Sequence, residues 1–325
     1  MFVVQVKVYK LHSIDVCMNP DLSIVIPVKN EAGNVRELHH QLIQVFQVRG
    51  FRYEILFIDD GSTDATLQEL LKIKQGDSLV RIFEMRKNVG KALALQVGFS
   101  HAKGTYVITI DGDLQDDPVE IPRFVAKLNE GFDVVSGWKL RRKDPLSKTL
   151  PSKIFNRLTS LLTRVYIHDF NCGFKAYRRE VTQSLLLYGE LHRYIPALAA
   201  WKGFRVAEIS VKHHSRKSGK SKYGFSRLFK GFFDLITISF LLQYKDRPLH
   251  LFGTIGFVLF LLGFLAGGYL TYLWYLNVVI WNRPLLILSV LLLILGVQFF
   301  FFGLIAEMIA TQHVPDARNM VKHEY

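Results

Sequence analysis

Thr105-Tyr-Val-Ile-Thr-Ile-Asp-Gly-Asp-Leu-Gln-Asp-Asp-Pro118 changes character halfway along its length. Tyr106 to Ile110 is a β-branched and aromatic run, which fits a strand covered on both faces. It ends abruptly in carboxylates. Asp111 and Asp113 are two residues apart, so in an extended chain they point the same way. Gly112 between them has no side chain to crowd a ligand. Two hard oxygen donors on one side of a strand end suit Mg2+ or Mn2+ bound together with a diphosphate, and Gln115 adds a neutral oxygen. Alone, the Asp-Gly-Asp tripeptide fits an acidic loop equally well, with Pro118 opening the next helix. Its neighbours along the chain decide between the two.

Working outward, strands and helices alternate. Strands are expected at Leu22–Val28, Tyr53–Asp59, Val80–Met85, Asp133–Ser136 and Arg205–Lys212. Helices are expected at about 31–48, 64–74, 90–102 and 118–130. This order predicts right-handed βαβ units and an α/β fold with a mainly parallel sheet. In such sheets ligands sit beyond the carboxyl ends of the strands. Three strands end in polar groups, at Asn30-Glu31, Asp59-Asp60 and Asp111/Asp113, and they are expected to form one site.

The 325-residue chain is half hydrophobic yet carries a formal charge of +13, which suits a membrane protein with a basic polar part. Cys17 and Cys172 are its only cysteines, which excludes a disulfide framework and points to a reducing compartment. Residues 1–20 lack a secretory cleavage pattern and are expected to be a poorly ordered extension, with Met18 as a candidate start. His192, His213 and His214 lack metal-ligand spacing, and Cys172 reads as a packing residue.

Ser23-Ile-Val-Ile-Pro-Val-Lys-Asn-Glu31, Ile58-Asp-Asp-Gly-Ser-Thr-Asp64, Asn88-Val-Gly-Lys91 and Asp111-Gly-Asp-Leu-Gln-Asp-Asp-Pro118 together resemble the family 2 glycosyltransferases of GT-A fold. The resemblance extends over about residues 21–310 and implies a nucleotide-sugar donor. Pro27 and Glu31 would line the base and ribose pocket, with Asp59, Asp60 and Lys91 also on the donor side. Asp111, Asp113 and Gln115 would hold the metal and diphosphate. Singly, Pro27 also fits a strand terminator, Glu31 a first-turn helix charge and Asp60 a turn former.

Lys139-Leu-Arg-Arg-Lys-Asp-Pro-Leu-Ser-Lys148, Asp169-Phe-Asn-Cys-Gly-Phe-Lys175, His192-Arg-Tyr-Ile-Pro196 and Arg216-Lys-Ser-Gly-Lys-Ser-Lys-Tyr223 resemble the branch of dolichol-phosphate mannose synthases and bactoprenol-phosphate glucosyltransferases. A Gln-x-x-Arg-Trp signature of processive synthases is absent. Cationic loops suit an acceptor that is itself a phosphate at a membrane surface, although they also suit anionic headgroups. Arg141, Arg142, Arg157, Arg216 and Lys222 are the candidate acceptor-phosphate ligands. Asp169 is a candidate for orienting acceptor or sugar, or equally a cap for the turn before Gly173.

Residues 225–245 mix Phe225, Leu228, Phe229, Phe232 and Phe233 with Arg227 and Lys230, as an interfacial helix would. Two uncharged stretches follow, giving spans at about 249–276 and 284–308; each exceeds the roughly 20 residues that cross a bilayer. Lys245, Arg247, Arg318 and Lys322 flank the outer ends, so both ends are expected in the cytoplasm. The expected division is an extension at 1–20, a GT-A domain at 21–224, the interfacial helix, a transmembrane hairpin at 246–312 and a tail at 313–325. The expected function is metal-dependent, inverting transfer of one sugar, glucose or a related hexose, from a UDP- or GDP-linked donor to undecaprenyl or dolichyl phosphate. A transferase acting on a glycan or glycolipid hydroxyl and a non-catalytic membrane scaffold are the alternatives. Expected partners are donor, acceptor and bilayer, without nucleic acid; homo-oligomerisation stays open. Cysteines introduced at Asn277 or Asn282 should be labelled from the non-cytoplasmic side of intact cells, and those at Ser62 or Arg318 should not. Labelling of hinge and tail from the same side would rule out two full spans.

Overall fold

The computed structural model describes residues 20–139, 156–157, 159–160, 163, 165–212, 214, 237, 240, 244, 247–280 and 283–311. The chain divides into two compact units, Met1–Gly224 and Phe225–Tyr325.

The first unit is built on a seven-stranded sheet. Its strands are β1 (Leu22–Val28), β2 (Tyr53–Asp59), β3 (Val80–Glu84), β4 (Tyr106–Thr109), β5 (Val134–Lys139), β6 (Lys175–Arg178) and β7 (Val206–Val211). They lie in the order β3-β2-β1-β4-β6-β5-β7. β1 pairs in parallel with β2 and β4, β2 with β3, and β5 with β7. The chain runs outward from β1 to β3 and then crosses back to β4 on the other side of β1. A crevice therefore opens between the carboxyl ends of β1 and β4, where ligands bind in sheets of this kind.

β6 is the strand that the sequence reading lacks. It runs antiparallel between β4 and β5, pairing Thr109 with Lys175 and Ser136 with Lys175 from either side. Its four residues, Lys-Ala-Tyr-Arg, give no apolar run to recognise, yet Lys175, Ala176 and Tyr177 are all buried. The reversal has a consequence for function. β6 begins where β4 ends, so the loop leading into β6 arrives beside Asp111.

Four helices complete the βαβ units: α1 (Val35–Arg49), α2 (Thr66–Gly76), α3 (Lys91–His101) and α4 (Ile121–Asn129). α1 buries Val35, Leu38, Leu42 and Phe46 at helical spacing. Gly50 closes it in the left-handed conformation (φ 67°), its N–H returning to the Phe46 carbonyl. α3 lies close on β1 because Gly98 faces Val25, and a Cβ there would stand 2.2 Å from Val25 Cγ1.

At the sheet's other end, away from the crevice, Glu54 is buried with only 6% exposed. Its carboxylate accepts from Ser23 Oγ (2.6 Å), Lys103 N (2.6 Å) and Arg81 Nη1 (3.0 Å), while Gly104 N donates to Ser23 Oγ (2.7 Å). This network ties β1, β2 and β3 to the turn that enters β4.

The second unit contains two helices long and apolar enough to cross a membrane, Pro248–Tyr275 and Pro284–Thr311. They pack with backbones in close approach. A Cβ on Gly256 would meet the Gly296 carbonyl at 2.6 Å, and one on Gly263 would meet Leu293 N at 2.8 Å. Small residues at helix contacts permit this approach where no hydrophobic effect drives association. Glu307 Oε2 accepts from Leu249 N (3.1 Å), satisfying a first-turn donor of the preceding helix. The expected interfacial helix at 225–245 falls almost entirely outside the described residues.

Glu54→Ala should lower stability by about 2–4 kcal/mol, since a buried network loses its acceptor. The change should appear as a reduced thermal midpoint in detergent, with the activity of the folded fraction intact. An unchanged midpoint would show that the network adds no net stability.

Candidate active site

The site is organised around the start of α3. Asp60, at the end of β2, turns its carboxylate to that helix terminus, where backbone donors have no intrahelical partner. Oδ1 accepts from Val89 N (2.7 Å) and Oδ2 from Gly90 N (3.1 Å). Gly90 has φ 89°, a conformation that favours glycine, and Lys91 follows as the first residue of the helix. The Lys91 ammonium contacts Asp111 Oδ1 directly.

Burial pushes the Asp111 carboxyl upward, but Lys91, then Lys139 and His192, more than offset it and hold its pKa at about 2. About a third of its side chain still reaches solvent. Burial likewise works against the Lys91 charge, and Asp111 and then Asp116 raise its pKa nonetheless. The pair is thus ionised throughout the physiological range.

Beyond Asp111 the chain turns sharply. Leu114 is buried at φ 60°, an unusual conformation for a branched residue that costs about 1–3 kcal/mol. The turn lets Asp113 Oδ1 accept from Gln115 N (3.3 Å). Gln115 O accepts from His214 N (2.8 Å), which joins this loop to the segment after β7. Asp116 is 2% exposed and lies 3.4 Å from Lys139 Nζ. Among the described residues no three His, Cys, Asp or Glu side chains form a metal cage. Asp111 and Asp113 are nevertheless hard oxygen donors, and the first is held ionised. That donor set fits Mg2+ or Mn2+, which commonly keep only one or two carboxylates and fill their shell with phosphate oxygens and water.

On the β1 side, a Cβ on Gly112 would lie 3.7 Å from the Pro27 carbonyl and 3.8 Å from Glu31 Cγ. The ends of β1 and β4 therefore meet at Gly112. Glu31 Oε2 accepts from Asn34 Nδ2 (2.5 Å), and Glu31 N donates to Thr66 Oγ1 (2.8 Å). Asp59 is buried and accepts from Ser62 N (3.0 Å), so it shapes the turn at Gly61. A Cβ on Gly61 would stand 2.8 Å from Asn88 N, holding this turn against the loop before α3.

On the β6 side, a Cβ on Gly173 would stand 2.5–2.7 Å from the Asp111 carboxylate. Asp169 is 1% exposed and its Oδ1 accepts from Asn171 N (3.0 Å), the geometry of a turn cap. Glu208 on β7 fixes this loop, accepting from His168 N (3.0 Å) and Asp169 N (3.1 Å). Burial pushes the Cys172 thiol up to about 12, so it is not a nucleophile. Arg157 is exposed, whereas Arg141, Arg142, Arg216 and Lys222 lie outside the described residues.

Sequence reasoning missed the site roles of Lys139, Lys175 and His192. Lys139 reads as the first member of a basic run, yet it ends β5 with its side chain 14% exposed. The one available signal for Lys175 is a cation between Phe174 and Ala176, both of which are buried.

Residues 23–186 match the model of glycosyl transferase family 2, and residues 247–311 that of the GtrB C-terminal hairpin. The chain is 39% identical to the dodecaprenyl-phosphate galacturonate synthase of Rhizobium johnstonii over 305 residues, 91% of this chain and 89% of that protein. It is 37% identical to the undecaprenyl-phosphate 4-deoxy-4-formamido-L-arabinose transferase of Klebsiella pneumoniae over 292 residues, 89% and 88% of the two chains. Among solved structures, glucosyl-3-phosphoglycerate synthase from Mycobacterium tuberculosis, in complex with Mn2+, UDP and phosphoglyceric acid, has a TM-score of 0.53 at 20% identity, covering 68% of this chain and 78% of that one. Mannosyl-3-phosphoglycerate synthase from Rubrobacter xylanophilus has a TM-score of 0.55 at 16% identity, covering 68% and 74%. At these identities the two structures share a fold.

Lys91→Met should leave Asp111 in the crevice without its contacting cation and raise its pKa from about 2. The protonated-carboxyl infrared band, assigned by comparison with Asp111→Asn, should then appear at higher pH than in the unaltered protein. An unmoved band would mean that Lys91 does not hold the carboxylate ionised.

Proposed function

The chain belongs to glycosyl transferase family 2 and carries a GtrB C-terminal hairpin, and we propose that it transfers one sugar from a nucleotide-sugar donor to a polyprenyl phosphate. The observation that carries this reading is an ionised carboxylate, Asp111, held among lysines at the β1/β4 crevice of a chain that continues into two apolar helices. Relatives aligned over nine-tenths of the chain are named for polyprenyl-phosphate products, which supports the acceptor class. Those relatives are named for different sugars, so their names support an acceptor class and not a particular sugar.

The lipid phosphate oxygen is the nucleophile. A phosphate monoester has its second pKa near 6, so the oxygen is already anionic at neutral pH and needs no strong general base. It attacks the anomeric carbon from the face opposite the leaving group. The new bond joins that carbon to the phosphate oxygen, the old carbon–oxygen bond breaks, and the nucleoside diphosphate departs with inversion. The main obstacle is bringing two anions together in line. Lys91 and Lys139 supply positive charge at the carboxylates, and Pro27, Glu31 and the Asp60-anchored loop form the nucleoside side.

A bound Mg2+ or Mn2+ would supply charge stabilisation to the departing diphosphate from Asp111, Asp113 and Gln115. Arg141, Arg142, Arg157, Arg216 and Lys222 are assigned to the acceptor phosphate, and Asp169 to orienting acceptor or sugar. The donor is UDP- or GDP-linked. The proposed topology has two full spans with both ends in the cytoplasm, so that the reaction lies at the cytoplasmic face and meets a polyprenyl chain that cannot leave the bilayer.

Purified full-length protein, offered labelled nucleotide sugars with undecaprenyl or dolichyl phosphate, should yield a labelled prenyl lipid. Asp113→Ala and chelation should each abolish this product while the protein stays folded. Full activity in chelator would sink the metal assignment. Label appearing on a glycan hydroxyl, and not on the lipid phosphate, would replace the acceptor.

A further inference from the structure

A pocket lies on the β6 side of Asp111, lined by Lys91, Asn171, Lys175, Tyr177, His192 and Arg193 among others. Its charged lining residues are all cations, and none of its lining side chains is a carboxylate. Lys91 contacts Asp111 next to the pocket, but the other two positive charges are poorly neutralised. Lys175 is 3% exposed and donates to the backbone carbonyls of Phe170 (3.2 Å) and Cys172, neither of which is charged. Asp169 and Asp111 act on its charge without an ion pair to it; an ammonium buried in contact with neutral oxygens alone is costly, and an anion brought alongside offsets that cost. Arg193 pairs with Glu190 at 2.7 Å, but Glu190 is 45% exposed, and a solvent-screened pair neutralises little. Asn171 Oδ1 and His192 Nδ1 are buried without a hydrogen-bond partner among the described residues, which marks the pocket as shaped for a polar guest.

Position indicates which guest. Gly112 and Gly173 flank Asp111 on opposite sides, the first against Pro27 and Glu31, the second on the loop that carries Asn171. A donor with its nucleoside at Pro27 and Glu31 and its diphosphate at Asp111 therefore extends its sugar toward β6. Resting on the donor site proposed above, we infer that this pocket receives a carboxylate on the transferred sugar, so that the donor is a nucleotide-linked uronic acid. Arg193 and Lys175 meet the carboxylate, while Asn171 and His192 meet sugar hydroxyls. A neutral hexose would leave Lys175 with only the field of Asp169 and Asp111 and no anion in contact, and the pocket discriminates against it for that reason.

The test measures binding of UDP-galacturonate and UDP-galactose to the full-length protein by calorimetry, without acceptor, and then transfer from each to undecaprenyl phosphate. The uronate should bind more tightly by roughly 10- to 100-fold, the range of a charge-assisted hydrogen bond in a desolvated site. Arg193→Gln should reduce that preference by about tenfold. Glu190→Gln removes the partner of Arg193 but keeps its charge, and should preserve the preference; loss of preference there would mean that Arg193 acts through the fold. Equal binding of the two donors, or of neither, would overturn the proposal. So would an Arg193→Gln variant that raises KM for the lipid phosphate equally with both donors, which would make this an acceptor pocket. Uronate preference in binding without transfer to the lipid would uphold the pocket and refute the acceptor class proposed above.

Discussion

The ion pair between Lys91 and Asp111 is the contact on which the rest of the site depends. It joins the start of α3 to the end of β4, two elements brought together by the crossover from β3 back past β1. Its geometry is set from both directions. Asp60 holds the backbone immediately before Lys91, and Gly173 lets the loop before β6 come against the Asp111 carboxylate where any side chain would collide. Opposite charges in a partly desolvated crevice keep each other ionised more firmly than burial opposes it. The result is a carboxylate held ionised with Lys91 and Lys139 beside it, an arrangement in which the lysines, with a metal on the carboxylate, suit a diphosphate and a second anion together.

The proposed reaction between two anions asks for no strong general base. Hydroxyl acceptors need a carboxylate poised to take a proton, whereas a phosphate oxygen arrives without one to lose. Asp169 is the buried carboxylate nearest to that role in sequence terms, yet its Oδ1 is engaged with the Asn171 amide in a turn and its loop is fixed by Glu208. The β6 side of Asp111 is instead furnished with Lys175, His192 and Arg193. The two apolar helices complete the logic, because a prenyl chain that gains about 0.8 kcal/mol for each buried CH2 stays in the bilayer and the enzyme must meet it there.

Much of this was legible in the sequence because the signals are local. β1, β2 and β4 are largely apolar runs followed by Glu31, Asp59-Asp60 and Asp111, and strand polarity alone gathers those endings at one edge. The apolar helices declare themselves by length. What stayed hidden depends on contacts between distant residues. β6 is four residues long, half of them basic, and is stabilised by strands on both sides, so no periodicity marks it. Lys175 is consequently buried although its side chain is among the most water-loving. The Lys91–Asp111 pair spans 20 residues of sequence and exists only because of the crossover. Asp60, expected beside the nucleoside, proves to have its carboxylate turned toward backbone amides of the α3 terminus, a partner that side-chain chemistry alone does not suggest. Lys139 was legible as a cation but not as the partner of Asp116.

In the proposed reaction the sugar alone, without its phosphate, passes to the lipid phosphate. A donor carrying radiocarbon in the sugar and radiophosphorus in the phosphate attached to it tests this in one extraction. Radiocarbon should enter the prenyl lipid while all radiophosphorus remains in the released nucleoside diphosphate. Both labels in the lipid would show transfer of a phosphosugar, contradicting a lipid phosphate oxygen that attacks the anomeric carbon.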